Sequence, residues 1–170
     1  MQVACLVTSN GYISEGFSCY GDSDYYLCVD EAVPDDATTR ISFDLVGIGR
    51  AVFHFINPSM GGHINFITVN NRMRAASGAN GYVTIYNGSS FSEQNPIEGV
   101  GWTDRSYTWN TNPWTGVDWT WADLNTLQIG ATFHRWGSYN WQELSWTQIL
   151  IDYTLTSGGS GAQIIGLSAW

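Results

Sequence analysis

Apolar and polar positions alternate with a period of two along most of this chain. In "RISFDLVGI" (40–48), Ile41, Phe43 and Leu45 fall on one side and Ser42 and Asp44 on the other, the pattern of a half-buried strand. "INFITVNNRMRAAS" (64–77) sustains the alternation over a longer run, and "GYVTIYNG" (81–88) resumes it after a turn. "DRSYTWNT" (104–111), "LQIGATFHRW" (127–136) and "SWTQILIDYTL" (145–155) complete the strand candidates. Clusters such as "NPSMGGH", "SGANG" and "RWGSYN" separate them as turns. Many strands with short connections predict an all-β protein, a two-layer antiparallel β-sandwich of jelly-roll type.

One stretch breaks the period. In "TWADLNTLQIG", Thr120 and Asp123 have capping-box spacing, Leu124 and Leu127 recur at helical spacing, and Gly130 supplies a stop. This predicts one short helix near 121–128, covering an open end of the sandwich.

The strand pattern ends at Leu155. "TSGGSG" follows, flexible by composition, and then the apolar "AQIIGLSAW". The expected organisation is one jelly-roll-like domain over 1–155 and a Gly/Ser linker with a C-terminal arm over 156–170. A linker of this kind reaches at most ~20 Å. The arm, with Ile164, Ile165, Leu167 and Trp170, is expected to dock on its own domain or to add a strand to a neighbour's sheet. Residues 1–10 could likewise pair at a sheet edge.

Composition narrows the function classes. With 170 residues, a single core is expected. Six arginines, no lysine and fifteen acids give a net charge of −9. That argues against a nucleic-acid partner, which needs a basic footprint, and against an anionic membrane surface. No run approaches the ~20 apolar residues of a membrane span. "MQVACLVTSN" lacks a positive n-region and a long apolar run, so synthesis in the cytosol without a signal peptide is expected. Cys5, Cys19 and Cys28 show no metal-ligand spacing; free thiols are the simpler reading, with a Cys19–Cys28 bridge the alternative outside a cell.

Catalytic patterns are missing. His54, His63 and His134 form neither HxH nor HExxH, and there is no GxSxG elbow. The close acids Asp22/Asp24 and Asp35/Asp36 sit in expected turns, where no acid–base pair lines a cleft. No enzymatic activity and no cofactor are expected. Ca²⁺ is the one metal those loop oxygens would suit, but turn formation is the plainer role without an EF-hand pattern.

Two features suggest contacts. Arg72 and Arg74 lie two apart on one strand and so share a face, which would suit carboxylates of a second copy or remain solvated. "NPWTGVDWTWADLN" (112–125) concentrates Trp114, Trp119 and Trp121, either as a sugar platform or as a lid on the sandwich.

Several segments together resemble a domain family found in virion proteins of tailed bacteriophages and in some prokaryotic surface proteins. "YYLCVDEAVPDDATTRISFDL" is similar to the family's "VD…PDDDTTYV", and "INFITVNNRMRAAS" to its arginine-bearing strand. "WNTNPWTGVDWTWADLNTLQIG" resembles "W.TNP.TG..WT..D.NALQ.G", and "WTQILIDYT" the closing "TQVYVEVDY". The matches run in the family's order over roughly residues 9–155. The resemblance implies a jelly-roll-like fold and a structural or adhesive role without shared catalytic chemistry. It makes Trp109 and Trp119 architectural, and Trp114 and Trp121 surplus aromatics open to a partner.

The expectation is therefore a non-enzymatic virion structural protein, a capsid decoration or projecting subunit at the particle surface. Its partners would be further copies of itself and a capsid or other virion protein, through Trp114, Trp121, Arg72, Arg74 and the arm. The alternatives are a carbohydrate-binding or adhesive module on a fibre tip or cell surface, and an extracellular filament subunit joined by terminal strand exchange.

Overall fold

The computed structural model describes residues 1–34, 36, 38–76, 79–97, 99–137 and 141–155. Among the described residues, ten strands follow in order: β1 (Gln2–Ile13), β2 (Phe17–Tyr20), β3 (Arg40–Phe43), β4 (Gly47–Phe55), β5 (His63–Ala75), β6 (Ala79–Tyr86), β7 (Phe91–Ile97), β8 (Gly99–Trp109), β9 (Gln128–Arg135) and β10 (Gln142–Thr154). Every strand pairing is antiparallel. The fold is the β-sandwich that the alternation predicts.

The first sheet runs β2-β3-β10-β5-β8, with Gln2–Leu6 of β1 paired to the far half of β10. The second runs β1-β4-β9-β6-β7, entered by Val7–Ile13 of the same β1. Strand β1 thus belongs to both sheets, and register shifts at Val7/Ser9 and Asn10/Ile13 let it cross from one to the other. Residues 1–10 are consequently a structural seam as well as an edge.

The inner faces follow the period of two. Ile64, Ile67, Val69 and Met73 of β5 and Leu144, Ile149 and Ile151 of β10 meet Ala51 and Phe53 of β4, Val83 and Ile85 of β6, and Ile129 and Phe133 of β9 in one buried cluster. Asn71 is a buried polar side chain that bridges the layers. Asn71 Nδ2 donates to the Gly130 carbonyl at 2.6 Å, and Asn71 Oδ1 accepts from Thr147 Oγ1 at 2.7 Å. Both groups are thereby satisfied where an orphan would cost ~1–3 kcal/mol.

The structure corrects three sequence expectations. Strand β3 stops at Phe43, so Leu45 leaves the core face and is exposed in the turn to β4. The expected helix near 121–128 is a single 3₁₀ turn, Asp123–Asn125, because Gln128 already pairs with Tyr86 in β9. Cys19 and Cys28 form a disulfide with their Cα atoms 6.3 Å apart, in place of two free thiols. Only Cys5 is free, and burial pushes its thiol up to about 11.

Candidate functional site

The tryptophan-rich corner is built around Asn112. Its carbonyl accepts from Gly116 N at 2.8 Å, its side-chain oxygen accepts from Trp114 N at 3.1 Å, and its own N–H reaches Val117 O at 2.8 Å. Gly116 sits at φ +74°, a conformation that costs a residue with a Cβ. The turn delivers Trp119 into the core, where Nε1 donates to the Trp109 carbonyl at 3.0 Å. Trp109 Nε1 in turn donates to Ser92 Oγ at 3.1 Å. The Thr120–Asp123 capping pair forms as its spacing predicts: Asp123 Oδ2 accepts from Thr120 N at 2.8 Å, and Asp123 N donates to Thr120 Oγ1 at 3.2 Å.

Trp121 is part of the same lid. Its Nε1 donates to Gly62 O at 3.0 Å and its ring meets Tyr153 edge-on at 5.7 Å, so its polar atom and one ring edge are used inside the chain. Trp114 packs edge-on against Trp119 at 6.3 Å. It also walls a small notch of about 170 Å³ with Asn87, Asn112, Thr115, Asp123 and Thr126. Trp114 and Trp121 are both half-buried, and of the two Trp114 lines this notch.

Arg72 and Arg74 do share the outer face of the first sheet, as their spacing predicts. Both are engaged within the chain. Arg72 Nε donates to Asp36 Oδ2 at 2.8 Å and Nη1 to Asp104 Oδ1 at 2.8 Å. Arg74 pairs with Glu143 and lies between Trp102 and Trp141, 4.7 and 4.1 Å from their ring centres. Glu143 also accepts from Arg40, which stacks on Tyr20 at 4.7 Å. Burial pushes the Asp36 carboxyl up, but hydrogen bonds from Arg72 and Ser145 and the charges of Arg72 and Arg74 outweigh it and hold Asp36 below the usual carboxylate range. Asp36 is thus an ion-pair partner rather than a turn cap. These guanidinium groups already have carboxylates of their own, which leaves less charge to offer a second copy.

The outer face of the second sheet holds a group of residues most of which sequence reading did not single out. Small residues make its floor: Val52, Gly130, Thr84 and Thr132, with Thr84 Oγ1 bonded to Thr132 Oγ1 at 2.9 Å. Around it stand long side chains. Tyr86 and Phe91 stack at 4.2 Å, and Tyr12 meets Phe91 edge-on at 5.4 Å. The bulge in β1 carries Tyr12 there, held by Tyr12 N donating to Gln128 Oε1 at 2.7 Å. Arg50 lies 4.6 Å over Phe91 and donates to Glu93 Oε1 at 2.9 Å. Farther along, His134 approaches Glu93 Oε2 at 3.3 Å, stacks near Tyr82 at 4.7 Å, and meets Trp136 edge-on at 5.8 Å. Tyr12 is 44% and Trp136 67% exposed, so aromatic surface faces solvent at both ends of the strip. The outward alternation of Tyr82 and Tyr86 in "GYVTIYNG" was a legible signal. Tyr12 and Phe91 reach the same place through a bulge and a hairpin that no periodicity reports.

Among the described residues, no group of three or more His, Cys, Asp or Glu side chains is placed to hold a metal ion. Asp22 accepts from Ser23 N at 2.6 Å and Asp24 from Tyr25 N at 3.0 Å, local turn bonds of the kind expected. Asp35 and the arm residues Ile164, Ile165, Leu167 and Trp170 lie outside the described residues.

The architecture defines an all-β, jelly-roll-type sandwich with a polar, aromatic-lined face on each layer. No family model matches the sequence, and no curated protein matches it. Solved structures do resemble its chain layout. TmCBM61, solved with β-1,4-galactotriose, has 9% identity and a TM-score of 0.42, covering 87% of this chain and 86% of that one. A family 29 carbohydrate-binding module from Piromyces equi has 12% identity and a TM-score of 0.41, covering 88% and 90%. The glycoside hydrolase domain of Endo-D from Streptococcus pneumoniae has 13% identity and a TM-score of 0.37, covering 89% of this chain and 21% of that one. At identities this low, likeness of layout says nothing of what a side chain binds.

Proposed function

We propose that this protein is a non-catalytic glycan-binding module whose site is the aromatic strip on the second sheet. The observation that carries the reading is the placement of Tyr12, Tyr86 and Phe91 on a solvent-facing sheet surface, beside Arg50, Glu93 and His134. Aromatic side chains held away from the core mark an interaction surface. Flat apolar rings with a few fixed polar groups suit a sugar, whose ring faces are apolar and whose rim is hydroxylated. The test is a glycan array followed by calorimetry, with Tyr86→Ala and Phe91→Ala beside the parent. Binding that either change weakens at least tenfold, about 1.4 kcal/mol, supports the site. Full affinity in both variants, or no glycan bound by the parent, would overturn it.

A second reading concerns where the module is displayed. The ordered match of four segments to the virion-protein family supports the surface of a tailed phage, as a fibre tip or decoration. In that setting the glycan is a host receptor, and further copies and a capsid protein are partners. Quantitative mass spectrometry of purified particles tests this. A few copies per particle fit a fibre tip, hundreds fit a decoration, and absence sinks the virion placement while leaving the glycan site standing.

A further inference from the structure

The first sheet carries an opening of its own, separate from the strip. It is a notch of about 220 Å³ lined by Asn70, Asn71, Asp104, Arg105, Ser106 and Trp146. Strands β5, β8 and β10 build it where the register of β10 shifts between Leu144 and Trp146. That shift puts Trp146 opposite Arg72 and next to the Asn70–Ser106 cross-strand pair.

Two donors there have no acceptor. Trp146 Nε1 and Arg105 Nε are shielded from solvent and without a hydrogen-bond partner. Elsewhere the indole nitrogens of Trp109, Trp119 and Trp121 all donate within the chain. An unpartnered buried donor is costly, so a small rotation of either side chain that brings its shielded N–H to an oxygen acceptor in the notch would be favoured.

The surroundings also say what kind of group fits. Arg72 and Arg105 are offset by Asp36 and Asp104, so the formal charge around the notch is zero. An anion would satisfy the donors but face the Asp104 carboxylate. A cation would leave Trp146 Nε1 unmet. Asn70 and Ser106 each offer both a donor and an acceptor, and hydroxyl groups complement both. The volume lies below the ~300–1,000 Å³ of drug-sized pockets, which limits the occupant to about one ring.

We propose that this notch is a second saccharide subsite taking one neutral sugar ring, with Trp146 supplying a ring edge and an N–H donor. The ligand class rests on the glycan-binding reading above; the location and the donor set do not. With sites on opposite layers, one molecule would join two glycan chains or two arms of one.

The experiment uses the full chain with ¹⁵N-labelled tryptophan, following the indole N–H signals by NMR. Trp146→Phe assigns the notch signal by its loss, and the Trp136 signal reports the strip. The probes are D-glucose, D-galactose, D-mannose and N-acetyl-D-glucosamine at millimolar concentration, with sodium acetate as an anion control. The expected result is a saturable shift of the Trp146 signal with at least one sugar, retained in Phe91→Ala and weakened at least tenfold in Asn70→Ala. A Trp146 signal unmoved by every sugar while Trp136 responds would overturn the second subsite and leave the strip intact. A response to acetate and not to sugar would overturn the ligand class. Silence of Trp146 and Trp136 alike would overturn both sites.

Discussion

Tyr86 and Phe91 face each other across the β6–β7 hairpin, stacked at 4.2 Å with 20° between their planes. The stack preforms an aromatic surface, so a ligand need not order it. A double-mutant cycle of Tyr86→Ala and Phe91→Ala should show a coupling of about 0.5–1.5 kcal/mol in stability. Denaturant titration of the four proteins measures it.

Trp121 provides the contrast. Because its N–H and ring edge serve Gly62 and Tyr153, Trp121→Ala should lower stability by about 2 kcal/mol and leave glycan affinity unchanged. Calorimetric unfolding and binding isotherms on the same sample separate the two effects. A loss of affinity at an unchanged Tm would return Trp121 to the list of contact residues.

The Cys19–Cys28 bridge spans a sequence separation of 9. In the loop-entropy account, closing a loop this short stabilises the fold by about 2.5 kcal/mol. Reduction should lower Tm by about 5–10 °C. Cys19→Ser with Cys28→Ser should show the same fall without reductant.

Asn71 joins the layers through Gly130 and Thr147. Asn71→Leu keeps the volume roughly constant but orphans a buried carbonyl and a buried hydroxyl. The expected loss is about 2–6 kcal/mol, from ~1–3 for each group. Chemical denaturation reads it directly.

Asp36 sets an acid limb. Its folded carboxyl lies below the ordinary value of 3.8, so the stability it contributes is present above that pH and lost as pH falls through the folded value. Asp36→Asn should flatten the fall of Tm below about pH 4 relative to the parent, since the position no longer titrates. Parallel thermal melts from pH 5 downward test this. An unchanged acid limb would place its origin elsewhere.

The sandwich was legible because its strands repeat every second residue: Ile67, Val69 and Met73 point inward just as the alternation of "INFITVNNRMR" requires. Trp119 and the Thr120–Asp123 cap were legible because local spacing fixes local geometry. What the pattern hid depends on distant pairings. Leu45 alternates correctly with Phe43 yet lies past the last rung of β3, since register with β10 ends at Phe43. Phe91 opens a strand that contains Pro96, which the strand signals demote, and the edge position of β7 is what tolerates it. Tyr12 reaches the strip through a bulge in a strand shared by two sheets. Arg72 and Arg74 were placed on the correct face, but their partners Asp36, Asp104 and Glu143 lie 32–69 residues away in sequence, beyond any local rule.

The sharing of β1 between layers has a mechanical consequence. A pull applied at Tyr12 is transmitted along the same backbone to Gln2–Leu6, and from there into the ladder with β10. The two layers therefore bear load in series through a continuous covalent thread, and peeling one from the other requires tearing one half of that thread from its ladder.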